Sequence, residues 1–431
     1  MKISVFGLGY VGCVNVACLA KLGHTIIGVD INPKKIDQIN NHRPTVSEPK
    51  LDKVMSDYKD SYYATANVKE AVDKSDVAIL CINTPNNVKG NLDISILERC
   101  VKEISTPLSD KDSFFLIVVK STVPPGTCNY LSNEISKLTS KVIDEDFSVV
   151  SIPEFLREGS AIDDFFDPPY TLVGSKSDKV RSLVEALNNG IAGKIIFADI
   201  KTAEFMKFVN NSFHALKVSF GNEIGLLSKE LEIDSRELMK YFCLDKKLNI
   251  SPYYFKPAFA YGGSCLPKDL LATNTLALDN GLNLPILSSI SLSNNQLIDN
   301  LSNMIVNNYK TVGIVGLSFK SNTDDVRNSP IIKVIRNISG NNLKVSIYEK
   351  FIEGQLIGPN KSFIKDNIPN ISDLLVTSIN SLVQKSELII CFTDNSFVKE
   401  LSGKYPDKTF LDLTVNKIED LYSKNYVGLT W

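Results

Sequence analysis

The residues with the clearest chemical potential are Cys265, Lys268 and Asp269, which follow two glycines in the segment 261–269, Tyr-Gly-Gly-Ser-Cys-Leu-Pro-Lys-Asp. Pro267 suits the first position of a helix, and the apolar residues after it continue the helical pattern. A thiol at the amino end of a helix lies near unpaired N–H groups and the positive end of the helix dipole, which both favour the reactive thiolate. A buried structural cysteine is the alternative. The adjacent glycines and charges favour a nucleophile.

A second motif lies at the opposite end of the chain, where Gly7, Gly9 and Gly12 follow the apolar run 3–6. In a dinucleotide site the first glycine makes a tight turn, the second lets the pyrophosphate approach, and the third packs the helix on the strand. The context fits, because a helix pattern follows and a second strand pattern ends in Asp30. An acid there accepts a hydrogen bond from the ribose 2′-hydroxyl and repels a 2′-phosphate. We therefore predict NAD, not NADP, as the cofactor.

Composition limits the class of protein. The chain has 431 residues, enough for two or three domains, with 43% hydrophobic and 22% charged residues, as in soluble enzymes. The net charge of −2 gives no electrostatic case for nucleic acid or an anionic membrane as a partner. Apolar stretches are strand-length, too short to span a bilayer. Eight cysteines without a C-x-x-C pair and three scattered histidines predict a reducing cytoplasm and no metal site.

The elements that position these motifs follow from the pattern of apolar runs. In the first part, strands alternate with helices, as in a doubly wound parallel sheet. Ligands of such sheets bind beyond the carboxyl ends of the strands. We therefore expect the loops 83–85, 121–126 and 153–155 to border the cofactor cleft. The predicted strands are Ile3–Phe6, Ile26–Val29, Val77–Cys81, Phe115–Lys120 and Ser148–Ile152.

A long helix is predicted from Thr202 to Leu231, with apolar residues around most of its circumference, so we expect it to be buried. Lys207, Asn211 and His214 nevertheless fall on one stripe of it, at i, i+4 and i+7. Polar groups on a buried helix must be paired or line a cavity. The stripe is thus either a satisfied hydrogen-bond network or a wall of the active site. A helical segment between two α/β units is also a natural dimer core.

The last part of the chain repeats the opening pattern weakly. The segment 311–320 resembles residues 3–9, but Ser318 stands where the dinucleotide fingerprint has a glycine. Further strands are predicted at Lys344–Tyr348, Glu387–Phe392 and Thr409–Leu413. The predicted fold is α/β, with two Rossmann-like doubly wound parallel-sheet domains joined by a central helical dimerisation region. The predicted domains are an NAD-binding domain at 1–200, the helical region at 201–300 and a sugar-nucleotide-binding domain at 301–431.

Taken together, these motifs resemble the UDP-glucose/GDP-mannose dehydrogenase family over essentially the whole chain. Within that family, the segments 247–254, 256–261 and 323–330 and the terminal Trp431 are similar to the branch that oxidises GDP-mannose to GDP-mannuronate for acidic polysaccharides such as alginate. The family-level resemblance is carried by residues 7–12, 121–123, 153–159, 262–265 and 316–320.

The resemblance implies a four-electron oxidation of one primary alcohol, with two NAD used in succession. In such enzymes, Lys207, Asn211 and a water bound by Asp269 would stabilise the alkoxide at carbon 6 of the hexose. Cys265 would then capture the aldehyde as a thiohemiacetal, which is oxidised to a thioester, and water activated near Glu158 or Asp269 would hydrolyse it. The sequence leaves open whether Lys207 acts as a charged electrophile or sheds its proton.

The resemblance also implies the binding residues. It also gives Thr122 a catalytic role. It implies that Arg327 reaches the cofactor across a homodimer interface, so that the two subunits share their sites. Two departures concern substrate identity, because Lys256 replaces an expected arginine, which has a planar fork for bidentate contacts, and Ala258 replaces a glycine. The implied NAD contacts, besides the three glycines, are Tyr10, Val11, Asp30, Lys35, Thr84, Thr122, Lys268 and Arg327. The implied nucleotide-sugar contacts are Glu158, Lys207, Asn211, His214, Asn222, Tyr253, Tyr254, Lys256, Phe259, Gly262 and Lys320.

Three other functions fit part of the pattern. A UDP-glucose 6-dehydrogenase would share the chemistry and differ in the base that it binds. A β-hydroxyacid dehydrogenase also joins a dinucleotide fold to a long helix with lysine and asparagine, but it performs one two-electron step and needs no thiol. An NAD-sensing or scaffold protein would keep the fold without turnover. Every expected catalytic residue type is present, which favours an enzyme.

Overall fold

The structure is a computed structural model that forms two compact units, Met1–Ala215 and Leu216–Trp431. For residues 359–362 it describes the helical backbone and not the side chains. It describes every other residue except Lys89, Pro252, Tyr253, Lys256, Ser264, 319–325, 350–358, Val415, Lys417, Glu419, Asp420, Tyr422 and Trp431.

The first unit is built around an eight-stranded sheet. Its strands are β1 (Lys2–Phe6), β2 (Thr25–Val29), β3 (Tyr62–Thr65), β4 (Val77–Leu80), β5 (Phe115–Val119), β6 (Phe147–Ser151), β7 (Tyr170–Gly174) and β8 (Lys194–Ala198). Its helices are α1 (Tyr10–Lys21), α2 (Pro33–Asn40), α3 (Leu51–Asp57), α4 (Val68–Asp73), α5 (Ser95–Ser109), α6 (Thr127–Thr139), α7 (Ala161–Phe166) and α8 (Asp178–Leu187). Helix α9 (Ile200–Glu230) begins in this unit and ends in the second.

The strand order is β3-β2-β1-β4-β5-β6-β7-β8, and only the β6–β7 pair is antiparallel among the described strands. The first six strands follow the order of a dinucleotide-binding sheet, in which the crevice lies where the order reverses, between β1 and β4. All residues of β4, β5 and β6 are buried. This explains their continuous apolar sequences, because helices cover both faces of a parallel sheet.

The second unit has a smaller, fully parallel sheet of order β10-β9-β11-β12-β13. Its strands are β9 (Thr311–Val315), β10 (Lys344–Tyr348), β11 (Leu388–Cys391), β12 (Thr409–Asp412) and β13 (Tyr426–Gly428). Its helices are α10 (Ser235–Phe242), α11 (Leu266–Asp279), α12 (Pro285–Asn308), α13 (Pro330–Ile338), α14 (Pro359–Asn367), α15 (Ile371–Leu374), α16 (Ile379–Lys385) and α17 (Val398–Lys404). The predicted α/β class with Rossmann-like sheets and a central helical region is confirmed.

The sequence pattern missed four strands: β3, β7, β8 and β13. Strands β3 and β13 are short, at four and three residues, and lie at the edges of their sheets. In β8 every residue is partly or fully exposed, so the apolar signal of a buried strand is weak there.

Helix α9 agrees in length with the predicted one, and a buried carboxylate fixes its first turns. Glu204 accepts hydrogen bonds from Gly126 N and Cys128 N at the start of α6. Nearby, a Cβ on Gly174 would lie 2.9 Å from Ile200 Cα, so this glycine allows β7 and α9 to approach closely. These contacts set the position of the polar residues on the following turns.

The expectation that α9 is buried on most sides is wrong for this single chain. The helix has apolar side chains that are exposed: Phe205, Val209, Phe213, Leu216 and Val218. The sequence showed that these positions are apolar, but it could not show what covers them. An extended exposed apolar surface is typical of a helix that packs against another protein.

We predict that Glu204→Gln lowers the free energy of unfolding by about 2 kcal/mol, because an amide weakens two charge-assisted bonds to the N-terminus of α6. Urea unfolding of the full chain measures the change in midpoint. The matched control is Glu185→Gln on α8, an exposed residue whose substitution should change stability by less than about 0.5 kcal/mol. Equal midpoints for the two variants would contradict this role of Glu204.

Candidate active site

The loop between β1 and α1 has the shape of a phosphate-binding turn. Gly7 has a φ of +89°, and a Cβ on it would lie 2.7 Å from Cys81 O. A Cβ on Gly12 would lie 1.8 Å from Gly7 O. A Cβ on Gly9 would meet nothing within 4 Å, although this residue caps α1. The outer glycines are therefore required by packing, and the middle one leaves room for a ligand at the N–H groups of the helix.

Asp30 follows β2 and organises this turn. Its carboxylate accepts hydrogen bonds from Leu8 N at 2.8 Å and Asn32 N at 2.9 Å, and Lys35 Nζ lies 3.3 Å from it. The structure thus brings together Asp30, Lys35 and the glycine loop, as the sequence predicted. It adds that Asp30 holds the loop itself.

The loops after β4 and β5 lie side by side at the same edge of the sheet. Thr84 Oγ1 donates to Thr122 O at 2.7 Å, and Ser121 Oγ donates to Ile82 O at 2.6 Å. Thr84 and Thr122 are both partly buried. The glycine turn, Asp30 and these threonines form a surface that fits a dinucleotide.

Glu48 is a site-forming residue that the sequence did not indicate. Its buried carboxylate accepts hydrogen bonds from Tyr10 Oη at 2.5 Å, Gly159 N at 2.8 Å and Ala161 N at 2.9 Å. Burial alone would raise the pKa of Glu48, but these three bonds outweigh it and hold that pKa below its usual value. Glu48 thereby ties α1 to the loop that carries the exposed Glu158.

Lys207 on α9 has a defined partner within the first unit. Its ammonium lies 2.9 Å from Glu154 Oε1 and donates to Glu154 O at 2.8 Å, and both side chains are nearly buried, at 13% and 14% exposed. The sequence placed Glu154 in a loop of the cleft but gave it no role. Asn211 and His214, on the same stripe, are exposed, and His214 borders a cavity behind Glu154. Of the two interpretations of this stripe, the satisfied hydrogen-bond network therefore applies to Lys207 and not to Asn211 or His214.

In the second unit, Cys265 caps α11 and is exposed. This excludes the alternative of a buried structural thiol. Leu266, and not Pro267 as predicted, is the first residue of the helix. Asp269 lies one turn into α11, where its N–H donates to Cys265 O at 2.9 Å.

Two asparagines hold the loop that precedes Cys265. Asn294 of α12 accepts from Tyr261 N at 2.8 Å and donates to Tyr261 O at 3.1 Å. Asn328 Nδ2 donates to Gly263 O at 3.3 Å. A Cβ on Gly262 would lie 2.4 Å from Asn328 O, so this glycine is required by close packing whether or not it also contacts substrate.

The other predicted binding residues of the second unit lie at its surface or beside its core. Asn222, Tyr254, Lys268 and Arg327 are exposed. Lys268 Nζ lies 3.2 Å from Asp269 Oδ1 in a solvent-exposed ion pair. Phe259 packs edge-on against Phe392, with ring centroids 6.2 Å apart. Tyr253, Lys256 and Lys320 lie outside the described residues, so their substrate contacts stay predictions.

The weak internal repeat has a structural counterpart. Gly7 N donates to Val29 O at 2.8 Å in the first unit, and Gly316 N donates to Tyr348 O at 2.9 Å in the second. After the neighbouring strand, Glu349 accepts a hydrogen bond from Leu317 N at 2.6 Å, as Asp30 does from Leu8 N. In both sheets, an acidic residue therefore holds the turn that follows the first strand, β1 or β9.

Comparison with known proteins identifies the protein family. Residues 1–191, 201–296 and 313–416 match the NAD binding, central and UDP binding domains of the UDP-glucose/GDP-mannose dehydrogenase family. The chain belongs to this family. It is 37% identical to a GDP-mannose 6-dehydrogenase of Pseudomonas aeruginosa, over 96% of each chain, and 32% identical to a UDP-glucose 6-dehydrogenase of Rickettsia bellii, over 91% of this chain and 89% of that one.

A solved structure extends the comparison. The ternary complex of GDP-mannose dehydrogenase from Pseudomonas aeruginosa superposes with a TM-score of 0.94 at 36% identity, over 100% of both chains. The chain is accordingly an NAD-dependent nucleotide-sugar dehydrogenase. Within the described residues, no helix has the length and apolar character needed to cross a membrane. The same residues hold no cluster of three metal-ligating side chains.

We predict that Asp30→Ala raises the KM for NAD at least about tenfold and narrows the preference for NAD over NADP, because a ribose acceptor and a charge that repels phosphate are both lost. Initial rates with each cofactor measure the effect. Asp37→Ala is the control, since Asp37 is exposed and its carboxylate contacts Asn41 and Arg43, which lie outside the glycine loop. An unchanged ratio of kcat/KM values for the two cofactors would refute the assignment.

We predict that Glu48→Gln lowers the free energy of unfolding by about 2 kcal/mol at pH 7 and that Tyr10→Phe lowers it by about 1 kcal/mol. Because the folded-state pKa of Glu48 is lowered, its contribution is full above the unfolded pKa near 4.5 and is lost as pH falls below it. Urea unfolding at pH 7 and at pH 4 checks this. A difference between wild type and Glu48→Gln that grows on acidification would contradict it.

Proposed function

We propose that this protein oxidises carbon 6 of GDP-mannose to a carboxylate and so produces GDP-mannuronate in the cytoplasm for an acidic, alginate-like polysaccharide. The observation that carries the choice of substrate is the full-length similarity to GDP-mannose dehydrogenase of Pseudomonas aeruginosa, with a TM-score of 0.94. The higher identity to GDP-mannose enzymes than to UDP-glucose enzymes, 37% against 32%, supports it.

Lys207 is the proposed electrophile for the first oxidation. Its ammonium has three donor protons, of which two point to Glu154 O and Glu154 Oε1. The third remains for an oxygen of the substrate. A positive charge at this position would stabilise the alkoxide that forms at carbon 6. Asn211, Thr122 and a water held by Asp269 are proposed to assist it.

Cys265 is the proposed nucleophile, and bound NAD supplies the hydride acceptor for both oxidations. The thiol is exposed at the N-cap position of α11. Addition of the sulfur to the aldehyde keeps the half-oxidised sugar bound. The second oxidation leaves an acyl group on the sulfur, and water activated near Glu158 or Asp269 releases the carboxylate.

We further propose that the functional form is a homodimer with shared sites. The exposed apolar residues of α9, which include Phe205, Val209 and Val218, supply a surface of the type that subunits bury. The exposed Arg327 is proposed to reach the cofactor of the partner subunit. The predicted division into domains at 1–200, 201–300 and 301–431 belongs to the same proposal.

UDP-glucose is the alternative substrate. The third family domain is described as UDP binding, and UDP-glucose 6-dehydrogenase of Rickettsia bellii is a full-length relative. Lys256, in place of an expected arginine, and Ala258, in place of a glycine, lie in the segment proposed to bind the base and sugar. These substitutions make a direct comparison of the two substrates necessary.

We expect two NADH per GDP-mannose from the wild type, little turnover of UDP-glucose, and a loss of at least about 1,000-fold in steady-state rate for Cys265→Ser. Absorbance of NADH against substrate consumed measures the ratio. Cys243→Ser, at the other exposed cysteine among the described residues, should keep the wild-type rate. Preferred turnover of UDP-glucose would overturn the substrate assignment. One NADH per substrate with an active Cys265→Ser would indicate a two-electron dehydrogenase.

A further inference from the structure

We propose that a cavity in the first unit binds a small hydroxy acid, with the carboxylate of the ligand on Lys120 and its hydroxyl group on Asn15. The cavity has a volume of about 390 Å³, in the range of small-molecule sites, and all its lining residues belong to the first unit. The lining includes none of Gly9, Asp30 and Thr84, which border the proposed cofactor cleft. The inference goes beyond the proposed function and does not depend on which nucleotide sugar the enzyme oxidises.

Apolar side chains in the wall of the cavity favour a ligand with a carbon skeleton. The cavity is larger than an inorganic anion such as phosphate, so an inorganic anion alone would leave much of it unfilled. A carbon chain would displace water from the apolar walls, which is favourable. The buried apolar residues in the lining include Leu19, Ile79, Ile152, Phe165 and Leu187.

Lys120 supplies a positive charge without a partner of its own. The residue follows β5, and within the described part of the chain its Nζ donates no hydrogen bond and forms no ion pair. Burial lowers the pKa of Lys120, and the neighbouring Cys81 and Glu154 oppose that shift. A carboxylate that enters the cavity would stabilise this ammonium, because a charge-assisted hydrogen bond would replace its lost hydration.

The other charged side chains of the cavity do not supply that partner. Arg157 pairs with Asp164 at 2.6 Å, and Glu154 pairs with Lys207 at 2.9 Å. Asp167 also lines the cavity, but it is exposed, so water screens its charge. The charge that remains for a ligand is therefore a single cation, which matches a monoanion.

Asn15 supplies a hydrogen-bond acceptor on the wall formed by α1. The residue is only 1% exposed, and its Nδ2 donates to Val11 O at 2.7 Å within the helix. Its Oδ1 accepts no hydrogen bond from any residue that the structure describes. A buried carbonyl oxygen without a partner is unfavourable, and an O–H group of the ligand would satisfy it. Lys120 and Asn15 together thus favour a hydroxy acid over a plain carboxylic acid.

The test is a ligand-observed NMR titration of the full-length protein, without NAD, using 2-hydroxybutyrate, 3-hydroxybutyrate, butyrate and the neutral 1,2-butanediol. At least one hydroxybutyrate should bind with a Kd of about 1 mM or below. Butyrate should bind about fivefold more weakly, because it leaves Asn15 Oδ1 unpaired. The diol should bind at least about tenfold more weakly, because it lacks the charge that faces Lys120. These comparisons on the wild type need no variant that might fail to fold.

Two variants assign the contacts. Lys120→Met should weaken the binding of the hydroxybutyrate at least about tenfold, and Asn15→Leu should abolish its advantage over butyrate. Lys176→Met, at an exposed lysine of the same unit, is the matched control and should bind as the wild type does. Urea unfolding of each variant checks that it is folded.

Three results would overturn the inference: no binding of any hydroxybutyrate to the wild type at about 10 mM, unchanged affinity in a folded Lys120→Met, or competitive displacement by GDP-mannose. The third result would assign the cavity to the substrate site. The ratio of NADH formed to nucleotide sugar consumed is measured separately and without these acids. Failure of this inference and failure of the proposed function are therefore distinguishable.

Discussion

Buried carboxylates that accept hydrogen bonds from backbone N–H groups hold the loops of this molecule in place. Asp30 fixes the turn after β1, Glu48 fixes the loop at 159–161, and Glu204 caps α6. In the second unit, Glu223 of α9 accepts from Ile286 N and Leu287 N at the start of α12. Each carboxylate loses hydrogen bonds to water on burial and replaces them with hydrogen bonds from backbone N–H groups. Those N–H groups would otherwise be unpaired, so the carboxylate and the loop stabilise each other.

The same constraint explains how a loop-built site can be rigid. Glu154 uses one oxygen to accept from Leu156 N at 2.7 Å and the other to face Lys207. The carboxylate therefore shapes its own loop while it orients a side chain on α9. Arg157, three residues after Glu154, binds Asp164 through its backbone N and two side-chain nitrogens. A site made from separate loops keeps its geometry because each loop is tied at more than one point.

The sequence alone predicted an element of the structure where a local pattern has one physical cause. The glycine spacing predicted the β1–α1 turn and Asp30, and the continuous apolar runs predicted the central strands. It was insufficient where the cause lies far along the chain. Glu48 binds Gly159 across 111 residues, and Asn294 holds Tyr261 across 33, and neither residue type marks such a contact by itself. The prediction that α9 is buried was wrong for a related reason. An apolar residue indicates that a position is covered, but it does not identify the element or chain that covers it.

The turn after β1 and the turn after β9 can also be compared with each other within this one chain. Gly9 and Ser318 occupy equivalent places after β1 and β9. A Cβ on Gly9 would meet no atom within 4 Å, whereas Ser318 is only 3% exposed. The two turns thus share a carboxylate that accepts a hydrogen bond from the backbone, Asp30 or Glu349, and differ in the residue that follows. An acidic side chain one strand away can therefore hold such a turn whether a glycine or a serine comes next.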